Sequence, residues 1–354
     1  MRGPRMANAW LGGVAVAALL DCGMSGHAAR GAETPVTAPG FTLEVFAHAP
    51  EGASRPDSLA IVNGNVWVGY GGTGKPDGSG GAKSQIVAFG ADGKVVRNLT
   101  VVGHNDGLRL DPSTGKLWAI QNEDGDANLV LIDPTSGAME KYTFTAGRHG
   151  GGYDDVAFIG DAAYVSASNP SVDNGAKNPG PSVVKAMLQA DHTVAVTPVM
   201  SGTPEAKDVV TGKTSRLNLT DPDSLAISPA GDLILDSQGD SELLWMKPGA
   251  VGKPVIHVLP LLGSVQIDDT AFVTSRTGYL LFADTKADLV YKLAAPVWVV
   301  GTPFSASNGV EASTNPPAAA IPAYIGQLNL RTGALLPVAE HLVSPHGMIF
   351  VATK

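Results

Sequence analysis

Five aspartates and one histidine recur at one position of a repeated phrase: Asp57, Asp106, Asp154, Asp223, Asp268 and His346, at spacings of 49, 48, 69, 45 and 78 residues. The phrases are RPDSLAIV from Arg55, HNDGLRLD from His104, GYDDVAFI from Gly152, DPDSLAIS from Asp221, QIDDTAFV from Gln266 and SPHGMIFV from Ser344. Each sets its charged residue two positions ahead of an apolar strand. Carboxylates brought together repel one another, and the repulsion is relieved by protonation or by a cation. Oxygen donors without thiolate favour a hard ion, Ca²⁺ before Mg²⁺, because Ca²⁺ accepts about 6 to 8 oxygens in irregular geometry. Another divalent cation stays open, and Zn²⁺ would turn to His104 and His346 for nitrogen. The plainer reading is turn capping, since Asp before Ser or Gly accepts backbone N–H bonds. The doubled acids Asp154-Asp155 and Asp268-Asp269 favour the ion, because a cap needs only one carboxylate.

Histidine beside a metal-bound water can shuttle protons, which makes His104 and His346 candidates for catalysis. His149, inside the glycine-rich stretch Gly147 to Gly152, reads instead as a loop residue bonded to backbone. The hairpin Asn122-Glu123-Asp124-Gly125-Asp126 resembles part of a calcium loop but lacks the distal glutamate, and it reads as a strand turn with at most a surface ion. Gly69 to Lys75 starts like a phosphate loop, but Pro76 stands where the metal-binding hydroxyl belongs and no helix follows. Neither a G-x-S-x-G elbow nor an H-E-x-x-H helix is present.

The elements that would position these residues are short apolar alternations divided by Gly, Pro, Asn and Asp, which read as strands and tight turns. In the first unit the strands fall at Ser58–Val62, Asn65–Tyr70, Gln85–Phe89 and Val95–Val101; in the second at Leu108–Asp111, Lys116–Gln121, Leu129–Asp133 and Met139–Thr145. Four strands in some 45–50 residues make a propeller blade, which buries its faces only by stacking on its neighbours. The expected fold is therefore all-β: a six-bladed β-propeller of four-stranded antiparallel blades, with seven blades as the alternative. Residues 41–46 are expected to close the ring with carboxy-terminal strands. The fifth unit is expected to run from Tyr279–Asp284 into Asp288–Leu293, with Tyr324–Leu330 and Leu335–Glu340 unallocated. The loops 71–83 and 166–182 would gather over one end of the ring as a lid or rim, and the residue ahead of each first strand would appear at one mouth of the central channel.

Residues 1–32 read as a secretory signal peptide, with Arg2 and Arg5 ahead of an apolar run from Ala7 to Leu20. That run is too short for a bilayer, and no later segment is a transmembrane candidate. The expected organisation is this leader followed by one propeller over residues 33–354, in the periplasm or secreted. Cys22 is the only cysteine and belongs to the leader, so thiol and iron–sulfur chemistry are excluded from the mature chain. The formal charge is −9, and it becomes more negative once Arg2, Arg5, Arg30 and Asp21 are removed. Such a surface repels phosphate backbones, so nucleic acid is not an expected partner.

The phrases PDSLAI, NDGLRLDP and SPHGMIF, with hairpins such as Ala283 to Asp288, resemble the NHL-repeat and regucalcin/gluconolactonase-like propellers over most of the chain after residue 40. The resemblance implies a central divalent ion, often Ca²⁺, held by a glutamate, two asparagines and an aspartate that also serves as base. Asn105 looks like the first asparagine and Asp223 like the aspartate. Asp57 is the nearest substitute for the glutamate, and Asp154 stands for the second asparagine. The expected metal set is thus Asp57, Asn105, Asp106, Asp154, Asp223 and Asp268, with Asp223, His104 and His346 as catalytic candidates. The expected activity is a calcium-dependent hydrolysis of a lactone or ester, a small-molecule substrate. The alternative is a non-catalytic scaffold holding an unknown protein partner.

Overall fold

The computed structural model describes residues 34–353 apart from 146, 148, 173–174, 250–253, 310–312, 315–316 and 319–320. The expected leader, residues 1–32, lies outside the described residues. The fold is all-β and propeller-like. Pro56–Val62, Asn65–Tyr70, Lys83–Phe89 and Val95–Val102 form an antiparallel meander. Asn105–Leu110, Leu117–Gln121, Asn128–Ile132 and Met139–Phe144 repeat it, as do Val156–Ile159, Ala162–Ser166, Pro181–Leu188 and Thr193–Ser201. A short parallel contact between the outer strands of these two meanders, Thr143 to Thr193, merges them into one 8-stranded sheet. Pro222–Ile227, Leu233–Ser237, Glu242–Met246 and Ile256–Pro260 follow in the same order, extended outward by Glu205–Asp208 and Thr214–Arg216.

The burial of each strand follows its rank. Second strands such as Leu117–Gln121 and Leu233–Ser237 are buried throughout, because each sheet is covered on both faces. The outer strand Val95–Val102 is largely exposed along one face. Buried apolar clusters lie between neighbouring sheets, for example Leu108, Leu117 and Ile132 against Ala60, Trp67 and Ile86.

The fifth unit departs from expectation. Thr270–Phe272 does not pair with Gly278–Asp284; it takes Pro303–Ser307, followed by Ala323–Leu328 and Leu335–Leu342. The hairpin of Gly278–Asp284 and Leu289–Ala294 crosses to the next sheet, where it pairs with Pro345–Ala352 on one side and Thr42–His48 on the other. The exchange has a physical reason. Pro345–Ala352 and Thr42–His48 would otherwise present unpaired edges, and one hairpin covers both.

The first strands lie side by side in a closed circle. Pro56–Val62 contacts Asn105–Leu110, and the contacts continue through Val156–Ile159, Pro222–Ile227, Thr270–Phe272 and Pro345–Ala352 back to Pro56–Val62. Four of these strands carry a β-bulge at the charged residue. Asp57 and Ser58 oppose Gly69 alone, Asp106 and Gly107 oppose Ile120, Asp223 and Ser224 oppose Asp236, and His346 and Gly347 oppose Ala283. A bulge bends its strand and re-aims the extra side chain, so the acids leave the sheet plane.

The bulges of neighbouring first strands also touch. A Cβ on Gly347 would lie 2.2 Å from the Asp57 carbonyl oxygen, and one on Gly107 would lie 2.3 Å from that of Asp154. The Gly347 contact joins the last first-strand to the first. Gly347→Ala is therefore expected to destabilise the fold by about 1–3 kcal/mol, the usual range for overpacking against unyielding backbone. Urea unfolding checks this, and an unchanged midpoint would mean the junction is looser than described.

Candidate metal centre

At one mouth of the circle is a cavity of about 190 Å³, lined almost wholly by polar groups. Of the residues expected from the sequence, Asp57, Asp154, Asp223, Asp268 and His346 line it. His104, Asn105 and Asp106 do not. Asn105 is fully buried and turned into the sheet, its Nδ2 donating to the Ile120 carbonyl at 2.9 Å and to that of Gly107 at 3.3 Å. In this structure it braces backbone and does not point into the cavity.

The residue that sequence reasoning missed is Glu123. It sits in the turn between Leu117–Gln121 and Asn128–Ile132 and lines the cavity together with Asp124. Ser168 Oγ donates to the Glu123 carbonyl at 3.0 Å, and the Asp124 amide donates to the Pro76 carbonyl at 3.3 Å. The long loops thus hold this turn over the ring. Donor atoms of Glu123, Asp154 and Asp223 lie within 4.8 Å of one another, as do those of His104, Asp106 and Glu123.

Burial pushes Glu123, Asp57, Asp154 and Asp223 well above the usual carboxylate range, and neighbouring acids add to the shift. Ligand atoms of Asp154 and Asp223 lie within 4.8 Å of one another, and burial with the Asp154 charge raises Asp223, so without a cation the pair shares a proton. Three converging carboxylates that must be protonated in the absence of a counter-charge fit a hard cation, with the proton as its replacement.

His346 is held differently. Its Nδ1 lies 2.8 Å from Asp268 Oδ2 and 3.7 Å from Asp57 Oδ1, while Nε2 is 3.2 Å from Ser344 Oγ. Burial alone would lower its pKa, but the Asp268 charge and hydrogen bond raise it to about 10. Burial would raise Asp268, yet the His346 charge and bonds from His346, Asn308 and Ser224 hold it below the ordinary value. His346 is therefore a cation at neutral pH and can give a proton rather than take one.

The second acids of the doubled pairs serve another purpose. Arg109, on the strand Asn105–Leu110, extends toward the axis and bonds Asp155 at 2.8 Å and Asp269 at 3.2 Å. Asp155 also accepts from the amides of Val156 at 2.7 Å and Leu225 at 3.1 Å. Burial raises Asp269 to about 8 even beside the guanidinium. Beyond Arg109 the channel opens into an apolar funnel of about 340 Å³, with Leu59, Val156, Phe272 and Phe350 in its walls. Arg109 borders that funnel on one side and ties down the second row of acids on the other. Asp154 and Asp268 face the polar cavity without an arginine, Asp268 held instead by His346.

These shifts give the metal-free protein a defined pH response. A carboxyl whose folded pKa is raised holds a proton that the unfolded chain releases, so its contribution to stability is present below the ordinary range and lost as pH rises. Asp221, raised by burial to about 6, and Asp269, at about 8, set the window together with the central acids. His346 acts in the same sense, losing its contribution as pH approaches 10. The melting temperature of EDTA-treated protein is expected to fall by about 5 °C between pH 5 and pH 8, as two or so kcal/mol would give for a domain of this size. Added Ca²⁺ is expected to remove most of that fall. A flat or rising curve without metal would contradict the assignment.

No protein-family profile matches the sequence, and no curated protein sequence matches it. Among solved structures the chain is similar to a Bacteroides caccae protein of unknown function, at 10% identity over 85% of this chain and 88% of that one, with a TM-score of 0.49. It is similar to a candidate gluconolactonase at 13% identity over 86% of this chain and 83% of that one, with a TM-score of 0.47. It is also similar to virginiamycin B lyase from Staphylococcus aureus, at 10% identity over 72% of this chain and 99% of that one, with a TM-score of 0.43. Among the described residues no helix is long and apolar enough to cross a membrane.

Proposed function

We propose that this chain is an exported, six-bladed propeller hydrolase of a small uncharged lactone or ester, dependent on a divalent cation such as Ca²⁺. The observation that carries the reading is the convergence of Glu123, Asp154 and Asp223, whose donor atoms lie within 4.8 Å of one another in a polar cavity. A cation held by these three residues would polarise the substrate carbonyl and acidify a water. Asp223, which a bound cation would free of the proton it shares with Asp154, is the carboxylate suited to take the proton of that water. His346 is charged and braced by Asp268, which suits it to protonate the departing alkoxide. His104 pairs with Asp106 at 3.2 Å outside the cavity lining, a place that suits orienting Glu123 rather than meeting substrate.

The cavity also selects by charge. Its surrounding carboxylates disfavour an anionic substrate, and an acid product, ionised at neutral pH, is repelled after ring opening. The leader-like pattern of residues 1–32, two arginines ahead of a short apolar run, supports export. Purified protein, assayed on a panel of lactones and aryl esters before and after dialysis against EDTA, tests the reading. Hydrolysis that chelation abolishes and Ca²⁺ restores is the expected result. Hydrolysis indifferent to chelation, or none with Ca²⁺ bound, would overturn it, the latter in favour of a non-catalytic binding propeller.

A further inference from the structure

We propose that this mouth holds two cations rather than one, the second bound by His104, Asp106 and Glu123, with the Glu123 carboxylate shared between them. The inference rests on the metal-dependent reading above and extends it. Donor atoms of His104, Asp106 and Glu123 lie within 4.8 Å of one another, the same spacing as in the set of Glu123, Asp154 and Asp223. Glu123 alone belongs to both sets.

The second set carries unspent donors. His104 and Asp106 are 7% and 3% exposed, and they touch each other through one atom each, Nε2 to Oδ1 at 3.2 Å. His104 Nδ1 and Asp106 Oδ2 are buried with no hydrogen-bond partner. Buried polar atoms are nearly always paired, and leaving one bare is costly. Turn capping accounts for a carboxylate at this place but not for a buried imidazole beside it with a bare nitrogen. The imidazole also rests on Gly71, where a Cβ would lie 2.7 Å from Cε1 and Nε2, so position 71 admits no side chain beside it.

Charge points the same way. Asp106, Glu123, Asp154 and Asp223 together bring four negative charges when ionised, and one divalent ion offsets half of them. Two divalent ions offset all of them, which makes full ionisation of the buried set tolerable. The donors differ in kind as well: three carboxylates suit a hard ion, whereas one imidazole with two carboxylates suits Mn²⁺ or Zn²⁺. Ions sharing a carboxylate sit about 3.5–4 Å apart, close enough for two Mn²⁺ spins to couple.

Mn²⁺ titration of EDTA-stripped protein, followed by equilibrium dialysis and electron paramagnetic resonance, tests this. Wild type is expected to bind two equivalents, with a spin-coupled signal as the second fills. His104→Gln should bind one equivalent and show an uncoupled signal, and Asp223→Asn should lose the other equivalent while keeping the one that depends on His104. Should His104→Gln fail to fold, the coupled signal of wild type alone decides. One equivalent in wild type, lost in Asp223→Asn and kept in His104→Gln, would overturn the second site and leave the hydrolase reading intact. No equivalents at all would remove both.

Discussion

Replacing Arg109 with methionine is expected to lower the stability of the folded protein by about 3–5 kcal/mol at neutral pH, the usual cost of breaking a buried ion pair by removing one partner. Methionine keeps most of the apolar stem that packs toward Leu59 and the funnel, so the loss reports the charge and not a cavity. Asp155 and Asp269, at 2.8 Å and 3.2 Å from the guanidinium, would be left buried among other acids. The gap between variant and wild type should narrow as the pH falls, because Asp269, raised to about 8, takes up a proton first and Asp155, itself raised by burial, follows. Urea unfolding at pH 7 and pH 5 reads both effects. A variant as stable as wild type at pH 7 would mean that the second row of acids does not need the arginine.

Changing Glu123 to glutamine is expected to reduce kcat/KM on any lactone substrate by about a thousandfold, which corresponds to roughly 4 kcal/mol of transition-state stabilisation. The amide keeps the shape of the turn but removes the negative charge and one of the two oxygens of the residue common to both cation sets. In metal-free protein the same substitution should leave stability equal or raised, because it takes one carboxyl out of a cluster that burial and mutual repulsion already strain. Activity lost while metal-free stability is kept separates a ligand from a structural residue. Substrate turnover and thermal unfolding of the stripped protein measure the two halves. Unchanged turnover would remove Glu123 from the site.

The repeated column was legible because each acid precedes its own apolar strand, and the circle of first strands follows from that repetition. Glu123 was not, since it lies outside the column, in a turn that resembles part of a calcium loop but reads locally as a hairpin with at most a surface ion. A physical signal for it existed. In an antiparallel meander the start of the first strand and the turn after the second share one end of the sheet, so Glu123, Asn169 and Gln238 arrive at the same mouth as Asp57 and Asp154. The bulges were hidden because a two-for-one mismatch exists only once strands pair. The division of labour in Asp154-Asp155 and Asp268-Asp269 was hidden for a similar reason. Arg109 belongs to another meander, and nothing in its local sequence announces the two acids it meets. The crossing of Gly278–Ala294 to the last sheet depends on which edges need covering, a property of the closed ring rather than of the hairpin.

A crystal grown with Ca²⁺ and measured at a long X-ray wavelength tests the account most directly. The expected result is an anomalous peak within about 2.3–2.6 Å of carboxylate oxygens of Glu123, Asp154 and Asp223. A map with no peak there, in which Asp154 and Asp223 still share their proton while Ca²⁺ is present in excess, would contradict it.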